Sequence, residues 1–432
     1  MTRSCAPVAT TRLFHACRKR RRRLSLLVGL LCFAASANAS SLDLFGPGTV
    51  SGTIDLRLVA ADGERSWTDG GFGKARFGGL DGNLRGVVAP TEAELVWQPR
   101  LSWNLKGTVA AAAQRGGGGD LLEAYLTYKP LPRGPTHFSA RTGLFWPPVS
   151  LEHEGPGWTV SDMITPSAIN SWIGEEVKVV GAEATVSREI GAGRISATIA
   201  GFGFNDTAGT LLAFRGWAMG DLKAGAFRRR PLPPLNDFME YAQAPKTKPL
   251  IELDNRPGLY GKIAVRFAAP VQLEAFYYRN RAKPEAVTDQ LQWGWNTSFW
   301  NLGARVDFSE KTHVFAQALT GTTEMGIETA DHYWVETRYR SAFLRLSSER
   351  GPVVLSGRLD IFDTREQGTR MSPAESEDGW AVTADAAWTI SKHAQLLLEG
   401  LHLDSDRPTR IRVRLPGRQR QNIVQAALRI HL

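Results

Sequence analysis

The chain has 432 residues, 43% of them hydrophobic and 22% charged, with a formal net charge of +9. That length is ample for a large core, and no apolar run of ~20 residues follows position 40, so a disordered chain and a helical membrane protein are excluded. Eight of the 52 basic residues lie within residues 1–39, which hold no Asp or Glu; the other 44 stand against 43 acidic ones, so the charge does not point to nucleic acid.

In chain order the first element is a leader. Arg18 to Arg23 form a positive stretch, Leu24 to Ala35 an apolar one, and Ala37-Asn38-Ala39 an A-x-A cleavage site. This predicts a signal peptide over 1–39 and a mature, exported chain over 40–432. The apolar stretch is too short to span a bilayer. All three cysteines, Cys5, Cys17 and Cys32, lie in the leader, which excludes thiol catalysis and cysteine metal sites from the mature chain.

From there the chain reads as strands. In Leu101-Ser102-Trp103-Asn104-Leu105 apolar and polar residues alternate, which puts alternate side chains on opposite faces. The same pattern returns at 300–308, 353–361, 380–390 and 424–432. Across these five segments none of 24 apolar-face positions is charged, whereas six of 19 opposite-face positions are. One face therefore meets something uniformly apolar and the other meets water. The pattern predicts strands at 51–60, 91–98, 101–113, 121–129, 137–146, 176–188, 193–204, 210–219, 222–228, 258–268, 271–280, 295–308, 312–322, 334–348, 353–363, 380–390, 393–404 and 421–432. That makes eighteen, or sixteen if the weak hairpin 210–228 around Gly220-Asp221 belongs to a loop.

Connections alternate in length. Gln98-Pro99-Arg100, Ala268-Ala269-Pro270, Ser309-Glu310-Lys311, Glu349 to Pro352 and Ser391-Lys392 are short; 61–90, 147–175, 229–257, 281–294, 364–379 and 405–420 are long. Aromatics cluster at strand ends: Trp97, Trp103, Tyr128, Phe267, Phe308 and Trp388 near short turns, and Trp146, Tyr277, Trp334 and Trp380 near long loops. The expected fold is an all-β transmembrane antiparallel barrel of 16–18 strands. It has short periplasmic turns, long extracellular loops, aromatic girdles and no separate soluble domain.

Strand parity points Arg57, Lys106, Arg141, Arg194, Arg305, Arg358 and Arg429 inward, together with Asp55, Glu92, Glu94, Glu123, Asp307, Asp360 and Asp385. Mixed signs imply weak net ion selectivity. Within 147–175, Thr165-Pro166 reads as a helix start, Ile169, Trp172 and Ile173 as one apolar face, and Gly174 as its end. The expectation is a loop folded into the lumen. Its helix packs on the inner wall, and Glu175 and Glu176 near the sixth strand face basic residues such as Arg141 across a gap. Arg407, Arg410, Arg412 and Arg414 form a basic loop suited to lipopolysaccharide phosphates or to funnelling anions. His153 could ligate a metal or act as a base, but no second ligand has supporting spacing. No cofactor or metal site is expected.

The stretch Arg141-Thr142-Gly143-Leu144-Phe145-Trp146-Pro147-Pro148 resembles the strand entering the long third loop in the phosphate-selective porin-like superfamily. Glu252-Leu253-Asp254-Asn255-Arg256-Pro257-Gly258-Leu259-Tyr260 is similar to a loop-to-strand junction among such porins. The resemblance implies a homotrimeric passive channel in a Gram-negative outer membrane. Its partners are membrane lipids, lipopolysaccharide, the barrel-assembly machinery and small hydrophilic solutes. No Lys/Arg ladder of the kind that selects phosphate is evident. No energy-coupling motif or nucleotide site is visible, and about ten residues between Ser40 and the first strand are too few for a plug. The expected function is passive diffusion, without enzymatic activity. A barrel-embedded enzyme and a structural or adhesive outer-membrane protein are the competing readings.

Overall fold

The computed structural model describes residues 42–80, 83–153, 155–268 and 270–432. The predicted leader, 1–39, lies outside the described residues. The barrel strands are β1 (Val50–Ala61), β2 (Arg85–Trp97), β3 (Leu105–Gln114), β4 (Gly118–Tyr128), β5 (Thr136–Phe145), β6 (Val179–Ile190), β7 (Gly193–Gly203) and β8 (Gly258–Arg266). They continue as β9 (Val271–Arg279), β10 (Asn296–Ser309), β11 (Thr312–Met325), β12 (Val335–Arg350), β13 (Val353–Glu366), β14 (Glu377–Ser391), β15 (Ala394–Asp406) and β16 (Arg418–His431). Each pairs antiparallel with its chain neighbours, and β1 closes on β16 from Thr53↔His431 to Ala61↔Ile423. Closure leaves no unpaired edge, which a lipid-embedded sheet requires.

Among the described residues the barrel therefore has sixteen strands, not eighteen. The segment 210–228 forms no strand of the wall. Thr210–Arg215 is a short helix between Gly209 and Gly216, whose φ of 106° and 76° reverse the chain at both ends. β7 then pairs directly with β8. The strand expected from 101 begins at Leu105. The amides of Leu101 and Ser102 both donate to the Leu105 carbonyl, at 2.9 and 3.1 Å, and turn the chain there.

Outward positions are apolar: Leu302, Leu344, Leu346, Leu359, Ile361, Val382 and Val424 are exposed. Exposed Trp103, Tyr128, Phe267, Phe308 and Trp388 mark the short-turn end of this band, and Trp300 and Trp380 the other. Trp146 is not in the girdle. It is buried inside, stacked on Trp158 with ring centroids 5.4 Å apart and Lys178 Nζ 3.4 Å from its ring centre. The wall is uneven: β3 to β9 run 9–12 residues, β10 to β16 run 13–16. Nine to eleven tilted residues suffice to cross a bilayer, so the second half stands taller than the membrane demands.

Candidate functional site

Two inward-folded segments fill the middle of the barrel. The first, 146–178, carries helix α1 (Ala168–Glu176). Its cap is Ser167, whose Oγ accepts from Asn170 N at 3.2 Å, two residues later than the expected start at Thr165. Glu152 holds that cap by accepting from Ser167 N at 3.0 Å and from Ser167 Oγ at 2.6 Å. The helix runs past Gly174 to Glu176, every residue of it buried.

Ile169, Trp172 and Ile173 have no exposed surface. The Trp172 ring meets Phe299 of β10 and Tyr339 of β12 edge-on at 5.4 and 5.3 Å, and Trp217 at 5.9 Å. Such pairs add about 0.5–1.5 kcal/mol each beyond burial. The Trp172 indole N–H donates to Glu176 at 2.8 Å.

Wall charges grip the backbone of this segment. Arg358 Nε pairs with Asp360 at 2.7 Å, and its Nη1 with Glu152 at 3.2 Å. It also donates to the carbonyls of Thr165 and Pro166 at 2.8 and 3.0 Å. Asp360 accepts from the helix-starting Ala168 N at 3.0 Å. Arg429 donates to the Val160 and Met163 carbonyls at 2.6 and 3.0 Å, and Arg345 pairs with Asp162. Charges at these depths need partners, and the loop supplies them.

The second segment, 205–226, carries helix α2 (Thr210–Arg215). Arg215 pairs with Glu175 at 2.5 Å and lies 4.4 Å from the centre of the Trp67 ring. The expected gap between Glu175 and Arg141 is therefore absent. Glu175 and Glu176 end α1 and turn to this second segment, Glu176 accepting from Leu211 N at 2.9 Å. Arg141 instead pairs with Glu183 of β6 at 2.8 Å and stacks 4.1 Å from the Phe145 ring centre. Lys223 reaches the inward Glu92 and Glu94 of β2. Asp221 lies between Arg57 and Arg76, at 2.6 and 2.8 Å.

Asp385 also points inward, buried, with neither carboxylate oxygen hydrogen-bonded. Toward the short-turn end these charges are less buried: Lys106 is exposed, and Arg305 and Asp307, paired at 2.8 Å, are about one-third exposed. At the other end Arg407 and Arg410 are buried, which corrects the expectation that they face lipopolysaccharide. Arg407 pairs with Glu375 at 3.0 Å, and Arg410 with Glu64, tying loops together. Arg412 and Arg414 are exposed. His153 is packed, its ring 4.2 Å from Trp158, and burial pushes its imidazole down to about 3.

Parity in β12 would have placed Arg345 inward, because Leu344 and Leu346 face out. Arg76, Asp221 and Lys223 sit in irregular chain with no period to reveal them. Between the inward segments and the wall of β1, β15 and β16 remains a slot of about 10 Å³, lined by Arg57, Arg76, Thr165, Met219, Asp221 and Gln425 among others. That is room for about one water.

Among solved structures, the chain is similar to the outer membrane channel DcaP of Acinetobacter baumannii, with a TM-score of 0.54 over 89% of this chain and 97% of that one, at 10% identity. The chain has the fold of an outer-membrane porin. Lower scores go to the anion-selective porin of Comamonas acidovorans (0.49, 11% identity, 89% and 99% covered) and Salmonella typhi OmpF (0.48, 11% identity, 90% and 100% covered). No protein family and no curated protein matches the sequence. At these identities the likeness carries the barrel and not the solute or the phosphate-selective subtype.

Proposed function

We propose that this chain is a passive outer-membrane channel for small hydrophilic solutes, narrowed by the segments 146–178 and 205–226. The observation that carries the reading is the inner face. A closed barrel turns charge inward: Arg57, Arg358 and Asp360 hold the inward segments across the lumen, and Arg305 and Asp307 stay about one-third exposed there. The test is conductance of the purified chain in a planar bilayer. Discrete channel steps support the reading; a silent bilayer with correctly folded protein overturns it. One observation favours a closed structural barrel instead: every residue of α1 is buried against the wall and the second segment.

The same proposal covers the remaining features. Residues 1–39 are a leader removed on export. We read the chain as a channel without enzymatic activity, a reading supported by the packing of His153, the sequence candidate for a base, against Trp158. The short-walled side fits a homotrimer contact, because Ala111, Ala124, Ala140, Ala182, Ala184 and Ala197 face out from neighbouring strands β3 to β7 and let backbones approach. Crosslinking in detergent tests this. Arg412 and Arg414 are exposed and within reach of lipopolysaccharide phosphates, and the barrel-assembly machinery is the expected insertion partner.

A further inference from the structure

At the short-turn end of the lumen two histidines stand across from each other. His431 ends β16, and its N donates to the carbonyl of His393, the residue before β15, at 2.9 Å. This contact extends the register Ala394↔Ile430 by one step, so the two are direct cross-strand neighbours on one face of the sheet. That face is the lumen. Two residues further into the wall, Arg429 donates to the Val160 carbonyl and Gln395 Nε2 to the Ser161 carbonyl at 3.0 Å, both on the first inward segment.

Each ring is oriented through one nitrogen and leaves the other free. His393 Nδ1 lies 3.1 Å from the His431 carbonyl oxygen. That oxygen can only accept, so Nδ1 carries the proton and Nε2 keeps its lone pair. Thr53 of β1 pairs with His431 on its other side, and its Oγ1 lies 3.4 Å from His431 Nδ1. A hydroxyl can accept there, which gives the same tautomer. Neither Nε2 has a hydrogen-bond partner among the described residues. Metal-ligating histidines are held in this manner, the far nitrogen donating to a carbonyl or another acceptor. Side chains directly opposite across a ladder stand about 4.5–5.5 Å apart at Cβ. Two imidazoles at that spacing can meet one cation at about 2.0–2.1 Å. The inward cation nearest along β16, Arg429, is turned onto Asp55 and the carbonyls of Val160 and Met163.

We propose that His393 and His431 form a chelating site for a borderline divalent cation of the Zn2+, Ni2+ and Cu2+ class at the short-turn mouth of the lumen. Imidazole nitrogens select these ions over Mg2+ and Ca2+, which take oxygen ligands. Two protein ligands leave open positions for water or an anionic solute. A cation held there adds positive charge to the mouth. The pair lies 38 positions apart in the chain, so no spacing motif announces it. Binding needs only the folded barrel; its effect on current rests on the channel reading.

The test uses the full mature chain in detergent, with His393→Asn, His431→Asn and the double variant, each checked for heat-modifiable migration. Calorimetry with ZnCl2, in excess MgCl2 to occupy acidic loop groups, reads binding. The unmodified chain should bind one Zn2+ at least tenfold more tightly than either single variant, and the double variant should lose no more than the singles. His313→Ala, which removes a histidine paired with Asp307 across β10 and β11, should leave Zn2+ binding unchanged. Equal Zn2+ affinity in folded variants overturns the proposal. Loss in one single variant alone would mean a lone imidazole and overturn the chelate, as would loss in His313→Ala. In a planar bilayer, micromolar Zn2+ on the short-turn side should shift the reversal potential toward chloride in the unmodified chain and not in the double variant. Binding without that shift in a conducting chain would overturn the site's place at the mouth. If no form conducts, the channel reading fails, and calorimetry still decides the site.

Discussion

Replacing Trp172 by Ala tests whether α1 is what closes the lumen. The ring is fully buried among Phe299, Tyr339 and Trp217, with centroids 5.3–5.9 Å away, and its N–H satisfies Glu176. Truncating a buried Trp costs about 3–5 kcal/mol. The strands lose no ladder hydrogen bond, because Trp172 touches the wall only through rings. The loss therefore falls on docking of the inward segment. At about 1.4 kcal/mol per tenfold, the docked-to-undocked ratio drops by roughly 10² to 4 × 10³. Single-channel recording should show larger conductance and longer open times, with unchanged heat-modifiable migration on gels. Trp172→Phe keeps an aromatic contact and should show a much smaller effect. A folded Trp172→Ala protein with unaltered conductance and open time would refute the claim that α1 occludes the pore.

Deleting 160–173 should raise conductance further while the barrel still folds, since the strands pair without it; unchanged conductance would place the loop outside the path. Asp206, at the base of the second segment, is pushed up to about 7 by burial and by nearby Glu252 and Asp254. Its folded form favours the proton, so its contribution is complete below about 4 and is lost as pH rises through about 7. Amide protection around 204–257, relative to the intrinsic exchange rate at each pH, should fall between pH 5 and 8, and Asp206→Asn should flatten that profile. Arg410→Ala strands Glu64 without its guanidinium; breaking a buried pair costs about 3–5 kcal/mol, and proteolysis within 407–417 should speed up. Leu359, exposed on the outer face, becomes a charge in lipid when changed to Arg, at about 2–4 kcal/mol near mid-bilayer, read by urea unfolding in vesicles.

The wall was decided by the sequence alone. Period-two alternation is a local property, and in a barrel it maps directly onto lipid and lumen, so Arg57, Arg305, Arg358, Asp360 and Asp385 could be placed inward from their neighbours' parity. The alternation of short and long connections was equally local. Where the period lapses, only tertiary structure decides. Residues 210–228 looked strand-like because they are apolar, but that apolarity serves burial inside the barrel, where Leu211, Leu212, Phe214 and Trp217 pack. Arg407 and Arg410 looked like surface charge because nothing near them in the chain announces Glu375 or Glu64. Glu175 was matched to Arg141 by position along the chain, whereas Arg215, forty residues on, reached it first. An ion pair is formed by whichever opposite charge the fold brings within about 3 Å, and burial makes that choice binding. Asp221 between Arg57 and Arg76 is the same kind of fact: three residues far apart in sequence, joined only when two loops fold into one lumen.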